Sequence, residues 1–349
     1  MPQLQGMGFD QTAVELRGGL MFLAWLFASL AIGAGGTWLA RRYALRHHLL
    51  DAPGERRAHT VPTPRGGGIG IVVALLLAGA VLLPRAEDPL ALVLALIGLA
   101  LVAAVGLVDD HRPLSPWRRL AVHAVAAFLL ACGTWHAAGD PWLACVAFVL
   151  ALVLTNIWNF MDGIDGIAAT QALLVALVIG VALPGAWSWW AFALVAAIVG
   201  FLPFNVPKAR IFLGDVGSGA LGYALAALFV QVLQGSPRSH WPLWALPASA
   251  FLVDASLTLA GRVFRGERWW TPHDLHAYQR WARAAGSHMI VTSAYAAWTV
   301  GAIGLMWVLG RAPISTAGVI VVVIAWYIGC TGIWLLLHGP KWHGKGVPR

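Results

Sequence analysis

Eleven long apolar runs dominate this chain of 349 residues, and they constrain its fold more than any other feature. A hydrocarbon core about 30 Å thick takes about 20 residues of helix to cross. The runs cover 18–40, 66–83, 89–108, 117–136, 142–158, 166–184, 187–204, 217–234, 242–260, 290–310 and 316–337. They predict an all-α polytopic integral membrane protein of about eleven transmembrane helices. The second, third and fifth runs are short or merge with neighbours, which makes ten the alternative. One membrane-embedded domain over 1–349 is expected. Only 11% of the residues are charged, against roughly 25% in soluble domains. That excludes a water-soluble enzyme, a disordered chain and a disulfide-stapled secreted domain.

Charge placement predicts orientation. Nineteen Lys and Arg fall in 41–65, 109–119, 159–165, 205–216, 261–289 and the tail from 338; four (Arg17, Arg85, Arg238, Arg311) fall in the opposite connections. By the positive-inside rule, the N-terminus lies outside and the C-terminus in the cytoplasm. The N-terminal segment carries Asp10 and Glu15 and no basic n-region, unlike a cleaved signal peptide. The net charge of +8 reads as topology, with no nucleic-acid partner. Trp38, Trp142, Trp158 and Trp244 sit near the ends of apolar runs, where indoles favour the interface. Cys132, Cys145 and Cys330 form no CxxC pair and read as buried small hydrophobes.

Unusual polar residues cluster on the side predicted to be cytoplasmic. The third run ends in Asp109-Asp110-His111-Arg112-Pro113. Two carboxylates at a helix C-terminus oppose the macrodipole unless a cation is near. Arg112, Arg118 or Arg119 could supply the charge. So could Mg²⁺, which takes one or two carboxylates plus waters and substrate phosphates, and that reading is preferred. The fifth run leads into Asn156-Ile157-Trp158-Asn159-Phe160-Met161-Asp162-Gly163-Ile164-Asp165-Gly166. Asn156 and Asn159 share a helix face. Asp-Gly pairs make turns, and Asp165 could cap the next helix. Four such polar groups at a membrane edge are costly, and they read as functional.

Before the eighth run stands Leu213-Gly214-Asp215-Val216-Gly217-Ser218, and Gly217 to Gly222 formally matches GxGxxG. No βαβ unit surrounds that match. What remains is a glycine-rich helix start whose N–H groups could approach an anion. Asp215 is either an N-cap or a third carboxylate sharing a metal with Asp109 and Asp110. Arg65, within Pro62-Thr63-Pro64-Arg65-Gly66-Gly67-Gly68, suits a phosphate or nucleotide group, although lipid head groups could also draw such basic residues. The loop 261–289 holds His273-Asp274-Leu275-His276-Ala277-Tyr278-Gln279. With no Cys or third His nearby, phosphate contact or proton shuttling is preferred to zinc. Asp254 lies about six residues inside the ninth run, roughly 9 Å deep, and should face the bundle.

In this order and on one side of a membrane, these segments resemble the polyprenyl-phosphate N-acetylhexosamine-1-phosphate transferases of glycosyl transferase family 4. That family includes phospho-N-acetylmuramoyl-pentapeptide transferase and the undecaprenyl-phosphate GlcNAc-1-phosphate transferases that start O-antigen and teichoic-acid chains. The resemblance covers about 40–290. Asn156-x-x-Asn159-x-x-Asp162-Gly-x-Asp165-Gly is its most specific element, followed by Leu213-Gly214-Asp215-x-Gly217-Ser218. It implies that Asp109 and Asp110 are the aspartate pair tied to Mg²⁺ and catalysis. Asp215 matches a Mg²⁺ ligand, with Asp110 its preferred companion. Asn156, Asn159, Asp162 and Asp165 match active-site residues contacting nucleotide and metal, and Asp254 matches an aspartate before the last large cytoplasmic loop. Arg65 and His276 would contact the diphosphate or sugar. Two departures stand out. Pro113 replaces a third aspartate found in some members, and only His276 matches a three-histidine motif. His-Ala-Tyr-Gln with Pro-Thr-Pro-Arg-Gly-Gly-Gly looks like the branch that uses FucNAc or QuiNAc.

The implied reaction is UDP-N-acetylhexosamine plus undecaprenyl phosphate giving undecaprenyl-diphosphate-HexNAc plus UMP. The expected cofactor is Mg²⁺, with Mn²⁺ as a substitute. The expected place is the bacterial inner membrane with the site on the cytoplasmic face, and a homodimer is an admissible assembly. Asp109 is the candidate base or phosphate positioner. Direct attack by the lipid phosphate is preferred to a two-step route through an aspartyl intermediate. A secondary transporter would instead place ionisable groups at the midplane in matching halves, and a scaffold would leave five clustered aspartates unexplained.

Overall fold

The computed structural model describes residues 6–51, 62–268 and 276–338. Twelve α-helices occur among them: α1 (Gly6–Arg46), α2 (Ile69–Leu82), α3 (Pro89–His111), α4 (Pro116–Ala138), α5 (Pro141–Phe160), α6 (Ile167–Ala182), α7 (Gly185–Asn205), α8 (Asp215–Gln234), α9 (Ser249–Phe264), α10 (Ala277–Ala285), α11 (His288–Arg311) and α12 (Thr316–His338). All-helical architecture has one small exception. Strands β1 (Leu50–Asp51) and β2 (Thr63–Pro64) pair antiparallel, Leu50 opposite Pro64.

Each apolar run coincides with helix, yet not every helix is of spanning length. Eight are long and apolar enough to cross a membrane: α1, α3, α4, α5, α7, α8, α11 and α12. Helices α2 and α6 have 14 and 16 residues, only about 21 and 24 Å at 1.5 Å per residue. The ninth run is not one straight helix. A 3₁₀ turn over Arg238–Ala245 meets α9 at 72°, with Pro242 inside the turn and Pro247 in the break; each proline lacks the N–H that continues a helix. If that bent pair is one span, the count is nine.

Local sequence sets the helix starts. Asp88-Pro89, Ser115-Pro116 and Asp140-Pro141 each join a capping side chain to a proline that needs no donor at the first helical position. Asp88 accepts from the Ala91 N–H, Ser115 from Arg118, and Asp140 from Trp142 and Leu143. Gly139, at φ +62°, ends α4 in the left-handed conformation.

Helix α8 is the centre of the bundle. It buries every residue from Val216 to Val230 and packs chiefly on α3 and α5. Glycines allow this closeness. A Cβ at Gly106 of α3 would lie 2.4 Å from the Asp215 carbonyl oxygen, and one at Gly68 would lie 2.3 Å from the Gly217 Cα. The start of α8 therefore touches the backbone at the end of α3 and at the entry to α2. Trp158, expected at the interface, is instead fully buried; it donates to the Ala168 carbonyl and packs against Phe251. Trp38 and Trp142 are exposed. All three cysteines are free, but only Cys330 is buried, and Cys145 lies on the outer surface of α5.

Candidate active site

Five pieces of chain meet at one end of the bundle: the end of α3, the start of α4, the end of α5 with the turn that follows, the start of α8, and the glycine-rich entry to α2. The α3–α4 turn is short and fixed by Pro113 and Pro116, so α4 starts beside the place where α3 stops. Asp109 accepts from the Leu114 N–H across that turn. Its other oxygen accepts from Arg119 Nη1 at 2.8 Å. The same Nη1 donates to Asp215 at 3.0 Å, so one guanidinium nitrogen joins two carboxylates from opposite ends of different helices.

Asp215 is held on its second oxygen by Asn159 Nδ2 at 2.9 Å, and Asn159 Nδ2 also lies 3.0 Å from Ser218 Oγ. Ser218 follows Asp215 by three residues, on the same face of α8. Asp110 does different work. It is buried, and its two oxygens accept from the N–H groups of Asp215 and Val216, each at 3.1 Å. The anion at the start of α8 is thus an aspartate of this chain. Gly217 and Ser218 return their N–H groups to the Gly214 carbonyl, so the helix-start anion site expected from the glycines is already filled. Arg65 Nε lies 4.0 Å from Asp110. Its glycines serve packing: Gly67 and Gly68 donate to the carbonyls of Phe212 and Leu213, and Phe212 donates to Pro64.

Asp162, in the α5–α6 turn, is partly buried, and its carboxyl makes no hydrogen bond or ion pair among the described residues. Burial, then the nearby charges of Asp215, Asp110 and Asp165, push its carboxyl well above the ordinary 3.8. Asp165 serves the scaffold. One oxygen accepts from the Ala209 N–H, the other lies 3.2 Å from His288 Nδ1, and its carbonyl accepts from Thr292. Asn156 donates back to the Leu152 carbonyl, so it does not join Asn159 on Asp215.

His276 lies at the start of α10, a helix inside a segment read from sequence as loop. Asp254 is buried, as expected, and anchors that helix. It accepts from the N–H groups of Ala277 and Tyr278, from the Tyr295 hydroxyl and from Trp334, with His276 Nδ1 at 3.6 Å. Tyr278 then donates to the Phe160 carbonyl at 3.1 Å, bringing α10 onto the α5–α6 turn. Burial and the charges of Asp254 and Asp162 push the Tyr278 phenol far above its usual range. His273 and Asp274, together with Trp269 and Trp270, lie outside the described residues.

Sequence reasoning brought Asp109, Asp110, Asp162, Asp215, Asn159 and Arg65 to one place, and the structure does the same. It missed the bridging position of Arg119, offered only as a charge balance, and the parts of Ser218 and Tyr278. Among the described residues no three His, Cys, Asp or Glu side chains form a ready-made metal cluster. The donors present are carboxylate, amide and hydroxyl oxygens, with a cation already between two of them. Such a set fits a hard divalent ion that keeps water and substrate oxygens in its shell.

Residues 92–233 match the model of glycosyl transferase family 4. The chain is 28% identical to decaprenyl-phosphate N-acetylglucosaminephosphotransferase of Mycolicibacterium smegmatis, covering 87% of this chain and 86% of that protein. It is 27% identical to undecaprenyl-phosphate alpha-N-acetylglucosaminyl 1-phosphate transferase of Yersinia pestis, covering 71% and 73%. It is 34% identical to phospho-N-acetylmuramoyl-pentapeptide-transferase of Moorella thermoacetica, covering 48% and 61%. The matched segment 92–233 contains Asp109, Asp110, Arg119, Asn159, Asp162 and Asp215.

Proposed function

We propose that this chain, whose residues 92–233 match the model of glycosyl transferase family 4, is a member of that family and transfers an N-acetylhexosamine 1-phosphate from a UDP-sugar to undecaprenyl phosphate, releasing UMP. The observation that carries this reading is the pairing of Asp109 and Asp215 on one guanidinium at the end of a membrane bundle. A lipid phosphate sits at the bilayer surface and a sugar nucleotide arrives from water. Helix ends at one membrane face are where the two can meet. The excess of Lys and Arg on the loops at that end supports a site on the cytoplasmic face, and a bacterial inner membrane is the corresponding location. Initiation of an O-antigen or another cell-envelope glycan is the corresponding role.

In the reaction, an oxygen of the lipid phosphate bonds to the sugar-linked phosphorus, and the bond from that phosphorus to the bridging oxygen of UMP breaks. One diphosphate linkage replaces another, so no outside energy source is needed. Positioning and charge neutralisation then dominate the barrier. The attacking phosphate has a second pKa of about 6 and is largely dianionic near neutrality, so Asp109 has no need to be a strong base and serves to position. Asp215 with Asp109 is the better-placed pair for Mg²⁺, since both Asp110 oxygens are engaged by α8. When bound, Mg²⁺ supplies charge neutralisation for the diphosphate and the leaving UMP. Arg65 and Arg119 lie beside the carboxylates as phosphate contacts. Tyr278 brings α10 onto the α5–α6 turn, and His276, at the start of that helix, is the further contact for the diphosphate or sugar.

The test is incubation of the purified protein with Mg²⁺, undecaprenyl phosphate and a panel of UDP-sugars that includes the GlcNAc, FucNAc and QuiNAc donors. UMP release together with a lipid-linked diphosphosugar is the expected result. No UMP with any donor would overturn the reading. A donor chiral at the transferred phosphorus should give inversion; retention would favour the aspartyl intermediate.

A further inference from the structure

We propose that Arg119 is an exchangeable counter-cation: it holds the Asp109–Asp215 clamp until a divalent ion displaces it, and the freed guanidinium then binds the donor diphosphate. The inference rests on the metal reading above and deepens it, by making metal and nucleotide binding depend on each other.

Three observations lead here. First, Arg119 is a basic residue near the start of α4, where the macrodipole disfavours positive charge. Its position is explained by the two carboxylates that share its Nη1. Second, the clamp is built to outlast the cation. The two oxygens on Nη1 are one from each carboxylate. The remaining oxygens are anchored elsewhere, that of Asp109 on the Leu114 N–H and that of Asp215 on Asn159. If Arg119 left, both free oxygens would stay in place as a two-carboxylate seat, the number Mg²⁺ commonly takes from protein. Third, the Asp162 carboxyl, with no partner of its own among the described residues, lies within electrostatic reach of Asp215, and a divalent ion seated there would draw off its proton and gain a further anionic neighbour.

A divalent ion seated on the same two oxygens repels the guanidinium at close range, and Arg119, whose side chain is about a quarter exposed (27%), can swing away. A guanidinium without its carboxylates needs another anion, and its planar fork suits phosphate. The donor diphosphate offers one at the same place. Metal alone should then bind weakly, while metal and nucleotide strengthen each other reciprocally.

Mn²⁺ binding to the full-length protein in detergent, followed by the loss of the free Mn²⁺ electron-spin signal with and without UDP, tests this without turnover. Arg119→Met should bind Mn²⁺ alone on the order of tenfold more tightly than wild type, within the usual span of coupling. UDP should then improve Mn²⁺ affinity less in the variant than in wild type. Arg119→Lys, which keeps a charge but not the fork, should fall between, and it carries the test if the methionine variant does not fold. Arg118→Met loses the same charge from the exposed neighbouring side chain and should change neither affinity. An Arg119→Met protein that binds Mn²⁺ no more tightly than wild type overturns the exchange. Equal tightening in Arg118→Met also overturns it, because a general field effect would then suffice. Wild type that takes up no Mn²⁺ even with UDP, or that matches Asp215→Asn, overturns the metal reading itself together with the exchange.

Discussion

Asp110 caps a helix that begins 105 residues later, its Oδ1 accepting the Asp215 N–H at 3.1 Å. Its second oxygen takes the next N–H, that of Val216. Gly214, the residue preceding α8, has no side chain with which to cap. The pair Asp109-Asp110 is thus divided in labour: one carboxylate faces Arg119, the other fixes the main chain that carries Asp215. Asp254 repeats the device with the N–H groups of Ala277 and Tyr278, setting the helix that begins beside His276. Two buried aspartates each position the start of a helix they do not belong to.

Asp110→Ala should therefore cost both stability and activity. Losing a cap or a charged buried acceptor is worth roughly 1–3 kcal/mol. Unfolding in detergent should show that loss, and turnover should fall with it because Asp215 is no longer held. Asp110→Asn keeps one acceptor oxygen and should lie between. Full stability in Asp110→Ala would remove the capping role.

Asp215→Asn should behave in the opposite way. Its contact with Arg119 is partly exposed, and such pairs contribute about 0–1 kcal/mol, while the amide oxygen can still accept from Asn159. We expect unfolding close to that of wild type and a fall in UMP release of at least about 10²–10³-fold, the scale for losing a preorganised electrostatic group. Substantial turnover at saturating Mg²⁺ would take Asp215 out of the metal role.

Much of this arrangement was legible from the residues. Long apolar runs gave the helices, since backbone groups in lipid must bond within their own segment. Short polar groups at helix ends gave the site, because burying them without purpose is costly. What remained hidden depends on contacts far apart in sequence. Nothing in Gly214-Asp215 says that its cap comes from Asp110, and nothing in Arg118-Arg119 says which arginine turns toward the carboxylates. Helix α10 was hidden because nine residues of mixed character between longer apolar runs look like loop; Asp254 and Tyr278 order it from outside. Trp158 was misplaced for a related reason: end-of-run position marks depth along a helix, not the side that faces lipid.

Asp162 predicts a pH dependence. Its carboxyl is pushed up by burial and by neighbouring carboxylates, so the folded protein keeps a proton that the unfolded chain releases near 3.8. Above that value the unfolded state binds fewer protons than the folded one, and stability falls as pH climbs toward the raised folded value. In chelator, Asp162→Asn should lose less stability than wild type between about pH 5 and about pH 8. Mg²⁺ should stabilise wild type more than the variant at the upper end. Parallel pH profiles for the two proteins in chelator would count against a strained carboxyl at this position.

The contact between α10 and the α5–α6 turn is the last point to test, because it joins the helix that begins beside His276 to the turn that carries Asp162. A Cβ at Gly163 would lie 2.2 Å from the Tyr278 hydroxyl and 2.9 Å from Gln279 Nε2. Both side chains belong to α10, whose N-terminal end is held by Asp254, so the helix cannot simply slide away. Gly163→Ala should instead push the Tyr278 side chain aside, break its bond to the Phe160 carbonyl, and lower turnover while leaving the Asp109–Arg119–Asp215 grouping in place. Tyr278→Phe removes the atom in closest conflict. Combined with Gly163→Ala it should restore part of the lost activity, giving a coupling of about 0.5–3 kcal/mol in a double-mutant cycle, the range for residues in contact. Strictly additive losses would mean that the two residues act apart, and that α10 does not reach the site through this contact.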